Sequence, residues 1–160
     1  MQIAGILKNS VVNGEGIRDV VFVQGCPHHC KGCHNPHTWN PEGGRHMSVW
    51  EVFKELEDSP NNVTISGGEP LNQFHSVECL IHYFHLGQGK TIWLYTGYQF
   101  EEISRSNWLR LLYVGVEVVV DGRFEEDKKD LTLQFRGSSN QRLIDLRKTL
   151  DQGQVVLWEG

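Results

Sequence analysis

The sequence lacks any apolar run approaching the roughly 20 residues needed to span a bilayer; Ile3–Leu7 and Val20–Val23 stop far short. Residues 1–7 show no basic region followed by a sustained apolar stretch, so a secretory signal is not expected and a cytoplasmic location is. Basic charge is in deficit. With 15 Lys and Arg against 20 Asp and Glu, the net charge is −5 and the pI about 5.9, which argues against a general nucleic-acid binder. There is no internal repeat, low-complexity tract or Pro/Ser-rich linker. Cysteine is scarce, and three of the four crowd together at Cys26, Cys30 and Cys33, too close to staple distant segments. A disulfide framework is therefore not expected, and a metal site is.

What remains is an ordinary globular composition, 39% hydrophobic and 22% charged, on 160 residues, which implies a single domain spanning 1–160. Ile17–Gln24 reads as a strand centred on Val20, Val21, Phe22 and Val23. Ser48 opens a helix with a capping box, because Glu51 follows three residues later. Val63–Ser66 is a second strand, residues 76–86 a helix with Val77, Leu80, Ile81 and Phe84 at helical spacing, and Thr91–Tyr95 a third strand. Phe100–Tyr113 is expected as one helix and Val116–Val120 as a fourth strand. Residues 134–142 read as a loop, with Leu143–Leu146 and Val155–Trp158 as short terminal strands.

Strand–helix alternation with near-continuous apolar strands is the pattern of a parallel sheet in an α/β protein. A closed eightfold barrel takes about 250 residues, so a partial, open β/α barrel or sheet with mostly parallel strands is expected. Ligands in such folds sit at the carboxyl ends of the strands. The cysteine cluster, Gly67-Gly68-Glu69, Thr96-Gly97-Tyr98 and Asp121-Gly122 each follow one of the four strands. If the strands are parallel, all four loops converge on one site.

Cys26-Pro27-His28-His29-Cys30-Lys31-Gly32-Cys33 has the spacing CxxxCxxC. Spacing alone leaves three readings: an iron–sulfur cluster with one iron free of protein ligands, a structural zinc completed by His28, His29, His34 or His37, or redox thiols. Cys79, on a predicted helix, is expected to be an inert buried thiol.

CxxxCxxC followed by Gly67-Gly68-Glu69-Pro70 resembles the radical S-adenosylmethionine superfamily. Asn13-Gly14-Glu15-Gly16-Ile17-Arg18 is similar to the Asn-Gly-Pro-Gly-x-Arg segment of its glycyl-radical activating enzymes, with Glu15 in place of the usual proline. Cys33-His34-Asn35 and Thr38-Trp39 match the same group. Trp93–Tyr98, Val120–Gly122 and Phe135–Arg142 are similar to the small activating proteins of anaerobic ribonucleoside-triphosphate reductases.

The resemblance implies a partial barrel of the radical S-adenosylmethionine type. In it, Cys26, Cys30 and Cys33 hold a [4Fe–4S] cluster whose remaining iron takes the amino and carboxylate groups of S-adenosylmethionine. Reductive cleavage then gives methionine and a 5′-deoxyadenosyl radical, which removes an α-hydrogen from a glycine of the reductase. Gly32, Cys33 and His34 would flank the adenosine, although Gly32 stands where an aromatic residue is common. Gly68 would meet the methionine end, with Gly67 and Glu69 orienting the amino group. The partners implied are the reductase and flavodoxin or ferredoxin as electron donor, with no nucleic acid and no membrane. Thr96 and Tyr98 fit either the cofactor or the core, Asp121 either a ligand or a cap, and Arg136 with Ser138 and Ser139 either partner docking or packing. The competing readings are another glycyl-radical activating enzyme and a zinc-stabilised interaction module.

Overall fold

Short runs of β-branched residues, buried on both faces, form the middle of one sheet. The computed structural model describes the backbone of residues 1–160 and the side chains of all but residues 110–112. Its strands are β1 (Gln2–Ser10), β2 (Arg18–Val23), β3 (Arg45–His46), β4 (Asn62–Gly67), β5 (Ile92–Tyr95), β6 (Val116–Asp121) and β7 (Arg142–Asp145), in the order β3-β1-β2-β4-β5-β6-β7. The central four, β2, β4, β5 and β6, are parallel, so the four loops singled out above do lie at one end of the sheet. β1 and β7 pair antiparallel on either side of that block, and β3, antiparallel to β1, runs with the central four. The sheet is open.

The helices are α1 (Val49–Leu56), α2 (Phe74–Gln88), α3 (Phe100–Ile103), α4 (Leu109–Gly115) and α5 (Leu146–Gln152). The expected capping box starts α1: Ser48 Oγ accepts from Glu51 N, and Glu51 Oε2 accepts from Ser48 N at 2.7 Å. Gly89, in the left-handed region at φ +67°, ends α2. Among the described residues no helix is long and apolar enough to cross a membrane.

Alternation along the strands divides the sheet into two unlike faces. Val21, Val23, Val63, Ile65, Ile92, Leu94 and Val119 share one apolar core with Val52 and Leu56 of α1, Val77, Leu80, Ile81 and Phe84 of α2, and Ile103 of α3. The opposite face carries Arg18, Thr64 and Trp93. Arg18 is buried there: its Nε donates to Thr64 Oγ1, its Nη2 to the carbonyls of Val63 and Thr91, all at 2.8 Å, and its guanidinium lies 5.5 Å from the Trp93 ring centroid. Burial pushes its pKa down to about 10. Phe135 and Trp158 pack edge-on against Trp93 and close that side of the sheet.

Several expectations need correction. Phe100–Tyr113 is two short helices rather than one: Ser106 donates its hydroxyl to Ile103 O and accepts from Trp108 N, the side-chain competition with helix bonding typical of serine. Residues 155–158 form no strand. They make an isolated bridge between Leu157 and Ile144, and the preceding segment is α5, capped by Asp145 accepting from Lys148 N and ended by Gly153 at φ +67°. β1 was not anticipated, because its pattern of half-buried and exposed positions, interrupted by Gly5, Lys8 and Asn9, lacks clear alternation. Cys79 is exposed rather than buried, because the inward spacing of Val77, Leu80, Ile81 and Phe84 leaves it off the packed side of α2.

Arg18→Met keeps the length of the side chain but removes the donors of two buried carbonyls and a hydroxyl. It should cost about 2–4 kcal/mol of stability, read from the midpoint of urea unfolding. A loss under about 0.5 kcal/mol would mean that the Arg18 network is dispensable.

Candidate active site

A cleft opens at the carboxyl ends of the four parallel strands, as expected where helices cover one face of such a sheet. The loops after β2, β4, β5 and β6 bring Cys26, Cys30, Cys33, His34, Gly67, Gly68, Thr96, Gly97, Arg123 and Phe124 to its wall, and Arg136, Gly137 and Gln141 complete it. Phe22, Ser66 and Tyr95, from the non-helical face of the sheet, also line it. All three were expected only as strand residues and not as part of a site, although alternation from Val21, Ile65 and Leu94 points to them.

The cysteine loop is held on both sides. Gly25 N donates to Thr38 O at 2.7 Å and Cys26 N to Trp39 O at 3.1 Å, while Gln24 Nε2 donates to the carbonyls of His37 and Asn40. Gly32, at φ +72°, lets the chain turn tightly enough for Cys33 N to donate to Cys30 O. All three thiols are free and partly buried. Burial pushes the Cys26 thiol up, and the Glu69 charge adds to this; burial likewise raises Cys30, with Cys33 adding to it. Opposing this, the nearby backbone N–H groups of His28 and His29 lower the Cys26 thiol and that of Phe124 lowers Cys30, while Asn35 N donates to Cys33 Sγ at 3.3 Å. Such N–H···S bonds favour thiolate and, in iron–sulfur proteins, help set the potential.

Of the four histidines that spacing offered as a fourth ligand, His37 is exposed and the other three are otherwise engaged. His28 bonds Glu69 at 2.8 Å, His29 stacks on Trp39 with centroids 4.8 Å apart, and the His34 ring lies 5.1 Å from that of Phe124. Among the described residues no three His, Cys, Asp or Glu side chains converge as ligands of a single metal ion. Three thiols around a shared cleft, without a fourth protein donor, suit a multi-iron cluster better than a closed zinc site.

Gly67 and Gly68 bring the loop after β4 against the loop after β2. Gly67 sits at φ +106°, and an added Cβ would lie 2.5 Å from Val23 N. At Gly68 an added Cβ would come within 2.3 Å of Gly25 O. Gly68 N donates to Val23 O at 2.8 Å and Glu69 N to Gly25 O at 2.7 Å. Gly68 is thus required by the cysteine loop's own backbone, whatever else it meets. Glu69 is fully buried behind the cleft wall. Its Oε1 accepts from Leu71 N and Thr96 Oγ1, and its Oε2 from Gly97 N and His28.

The softer candidates separate. Thr96 lines the cleft, with its hydroxyl donated to Glu69. Tyr98 packs behind the wall between His28 and Trp108. Asp121 is a cap and an ion-pair partner: its carboxylate accepts from Phe100 N at 2.8 Å and from Arg142 Nε at 3.0 Å. Bonds to Asp121 and Glu101 hold the Arg142 guanidinium above its usual pKa. Arg136 lines the cleft and donates to Gln141 O at 2.7 Å.

Residues 12–144 match a family described as a 4Fe-4S single cluster domain. The chain is 35% identical over 141 residues to the anaerobic ribonucleoside-triphosphate reductase-activating protein of Haemophilus influenzae, covering 82% of this chain and 89% of that one. To the protein of that name from Escherichia coli K12 it is 34% identical over 146 residues, 86% of this chain and 94% of the relative. To that of phage T4 it is 38% identical over 140 residues, 82% and 86%. The chain belongs to the family of anaerobic ribonucleoside-triphosphate reductase-activating proteins. In this family member the iron–sulfur domain spans the cysteine loop, the central strands and all four converging loops.

Gly68→Ala should push the Gly-Gly-Glu loop off the cysteine loop. The expected outcome is a loss of about 1–3 kcal/mol in unfolding free energy together with weaker iron retention. Unchanged stability and iron content would show that the two loops have room to spare.

Proposed function

We propose that this chain generates a glycyl radical in an anaerobic ribonucleoside-triphosphate reductase, using a [4Fe–4S] cluster on Cys26, Cys30 and Cys33 together with S-adenosylmethionine. The observation that carries this reading is the opening of three free thiols and the Gly-Gly-Glu loop onto one cleft at the ends of parallel strands. When bound, the cluster and S-adenosylmethionine supply one-electron cleavage of the sulfonium to methionine and a 5′-deoxyadenosyl radical, the oxidant that removes the glycine α-hydrogen. The protein binds, orients and excludes water.

In this reading the backbone of Gly32, Cys33 and His34 flanks the adenosine, and Gly67 and Gly68 present main chain to the methionine end. Glu69 acts on that end through the loops it holds rather than by direct contact, since its oxygens are occupied inside the protein. Phe22, Tyr95 and Phe124 supply apolar wall against water. The open sheet serves as a partial barrel of the radical S-adenosylmethionine type, acting as a single domain over 1–160. Electrons come from flavodoxin or ferredoxin, and the setting is the cytoplasm.

Abstraction from a main-chain glycine requires a partner's backbone to enter the cleft. A groove that shares Asn13, His34, Tyr95, Arg136 and Gly137 with the cleft runs outward between Val11 and Val12 on one side and Leu131 and Leu133 on the other. Val12 is 69% and Leu131 81% exposed, so aliphatic side chains flank the approach. This supports the segment around Arg136 as the docking edge for the reductase's glycine-bearing segment.

Alanine at any one of Cys26, Cys30 or Cys33 should strip iron from anaerobically purified protein and abolish S-adenosylmethionine cleavage, while Cys79→Ser keeps both. Wild-type protein carrying one zinc instead of iron and sulfide would overturn the assignment. Val12→Asp and Leu131→Asp should leave cleavage under a chemical reductant within about twofold. At limiting enzyme the partner's glycyl radical, read by electron paramagnetic resonance, should fall about tenfold or more. Normal radical yield in both variants would remove this groove from the docking surface.

A further inference from the structure

His28, between two of the cysteines, lines the cleft beside the thiols, yet its ring is committed to a partner inside the protein. Its side chain is 4% exposed, and Nε2 lies 2.8 Å from Glu69 Oε2. As a carboxylate Glu69 only accepts, and Gly97 N, Thr96 Oγ1 and Leu71 N already donate to it. His28 therefore donates through Nε2–H, and this bond fills the carboxylate's fourth acceptor position.

The site around the ring is built for it. An added Cβ at Gly97 would lie 2.3 Å from His28 Cδ2, so the imidazole rests directly on that glycine. The Tyr98 ring meets it edge-on at 4.6 Å and is itself backed by Trp108 at 4.7 Å. One imidazole thus ties the loop that bears the thiols to the loops after β4 and β5.

We infer that His28 is a positioning residue. Through Glu69 it sets the register between the cysteine loop and the Gly-Gly-Glu loop, and hence the place where the methionine end of S-adenosylmethionine meets the cluster. Committing Nε2 to Glu69 also withholds that nitrogen from the metal, which keeps a fourth protein ligand away from the cleft. The inference rests on the function proposed above, and it concerns a side chain that does not itself touch the reacting atoms.

Two substitutions reach the same contact from opposite sides. His28→Leu removes the donor at similar volume. Gly97→Ala, at a backbone φ open to any residue, displaces the ring while leaving histidine in the sequence. Both are measured on anaerobic, iron-loaded protein for irons per chain, thermal midpoint, S-adenosylmethionine affinity by equilibrium dialysis, and the change that S-adenosylmethionine causes in the electron paramagnetic resonance spectrum of the reduced cluster. The expected result is near-normal iron in both, with S-adenosylmethionine affinity weakened about tenfold or more and the spectral change diminished. His28→Gln, which retains an N–H donor of similar reach, should recover affinity to within about threefold.

Affinity within twofold of wild type in both His28→Leu and Gly97→Ala overturns the inference. So does loss of iron from His28→Leu and His28→Gln alike with Gly97→Ala unaffected, which would make His28 a ligand instead. Should His28→Leu fail to fold, Gly97→Ala decides alone. Wild-type protein that binds no S-adenosylmethionine would instead bring down the proposed function, an outcome distinct from binding that the variants leave unchanged.

Discussion

A carboxylate with no exposed surface must find every hydrogen bond inside the protein, and Glu69 finds four from three different places. Leu71 N belongs to its own loop, Thr96 and Gly97 to the loop after β5, and His28 to the loop after β2. Buried charge is costly unless fully bonded, so these loops either assemble around Glu69 together or leave it destabilised. The same requirement explains why the neighbouring positions are small. Gly68 lies against Gly25 and Gly97 against His28 with no space for a Cβ, because the loops must approach closely enough for four short bonds to form.

Beneath that knot, the sheet is asymmetric in a way that serves the cleft. Helices cover the aliphatic face formed by residues such as Val21, Ile65, Leu94 and Val119. The other face descends from Phe22, Ser66 and Tyr95 at the cleft to Arg18, Thr64 and Trp93 below. Arg18 plugs this lower layer by bonding the carbonyls of Val63 and Thr91, and Phe135 and Trp158 seal it. The upper layer stays open. Tyr95 connects the two regions, since its hydroxyl donates to Phe135 O at 2.7 Å and so fixes the segment that borders the cleft near Arg136.

Much of the architecture was legible beforehand because its signals are local. The Ser48 and Glu51 capping box, the Gly89 stop and the apolar spacing of α2 all act over a few residues, and each element appeared where expected. The convergence of four loops followed from a single assumption, parallel strands, which the register bears out. Failures arose where a side chain competed with the backbone or where a pattern was mixed. Ser106 broke a helix whose apolar spacing looked continuous, Asp145 and Gly153 bounded a helix that was not anticipated between two expected strands, and β1 carried no clean alternation. Cys79 was assigned inward from residue type alone, while helical phase sends it outward.

By itself, the sequence determined the chemistry on offer. Three thiols at CxxxCxxC spacing and a Gly-Gly-Glu loop are covalent and local facts, and strand order along the chain already ranked the loops that would meet. Only the tertiary structure decided what each of those residues faces. Glu69 turned inward to hold loops, Asp121 became a cap and ion-pair partner, and His28 left the pool of possible ligands for a carboxylate far from it in sequence. The reason is physical: residue type says which bonds a group can form, but burial and distance say which partner it has, and both are set by how the strands stack side by side.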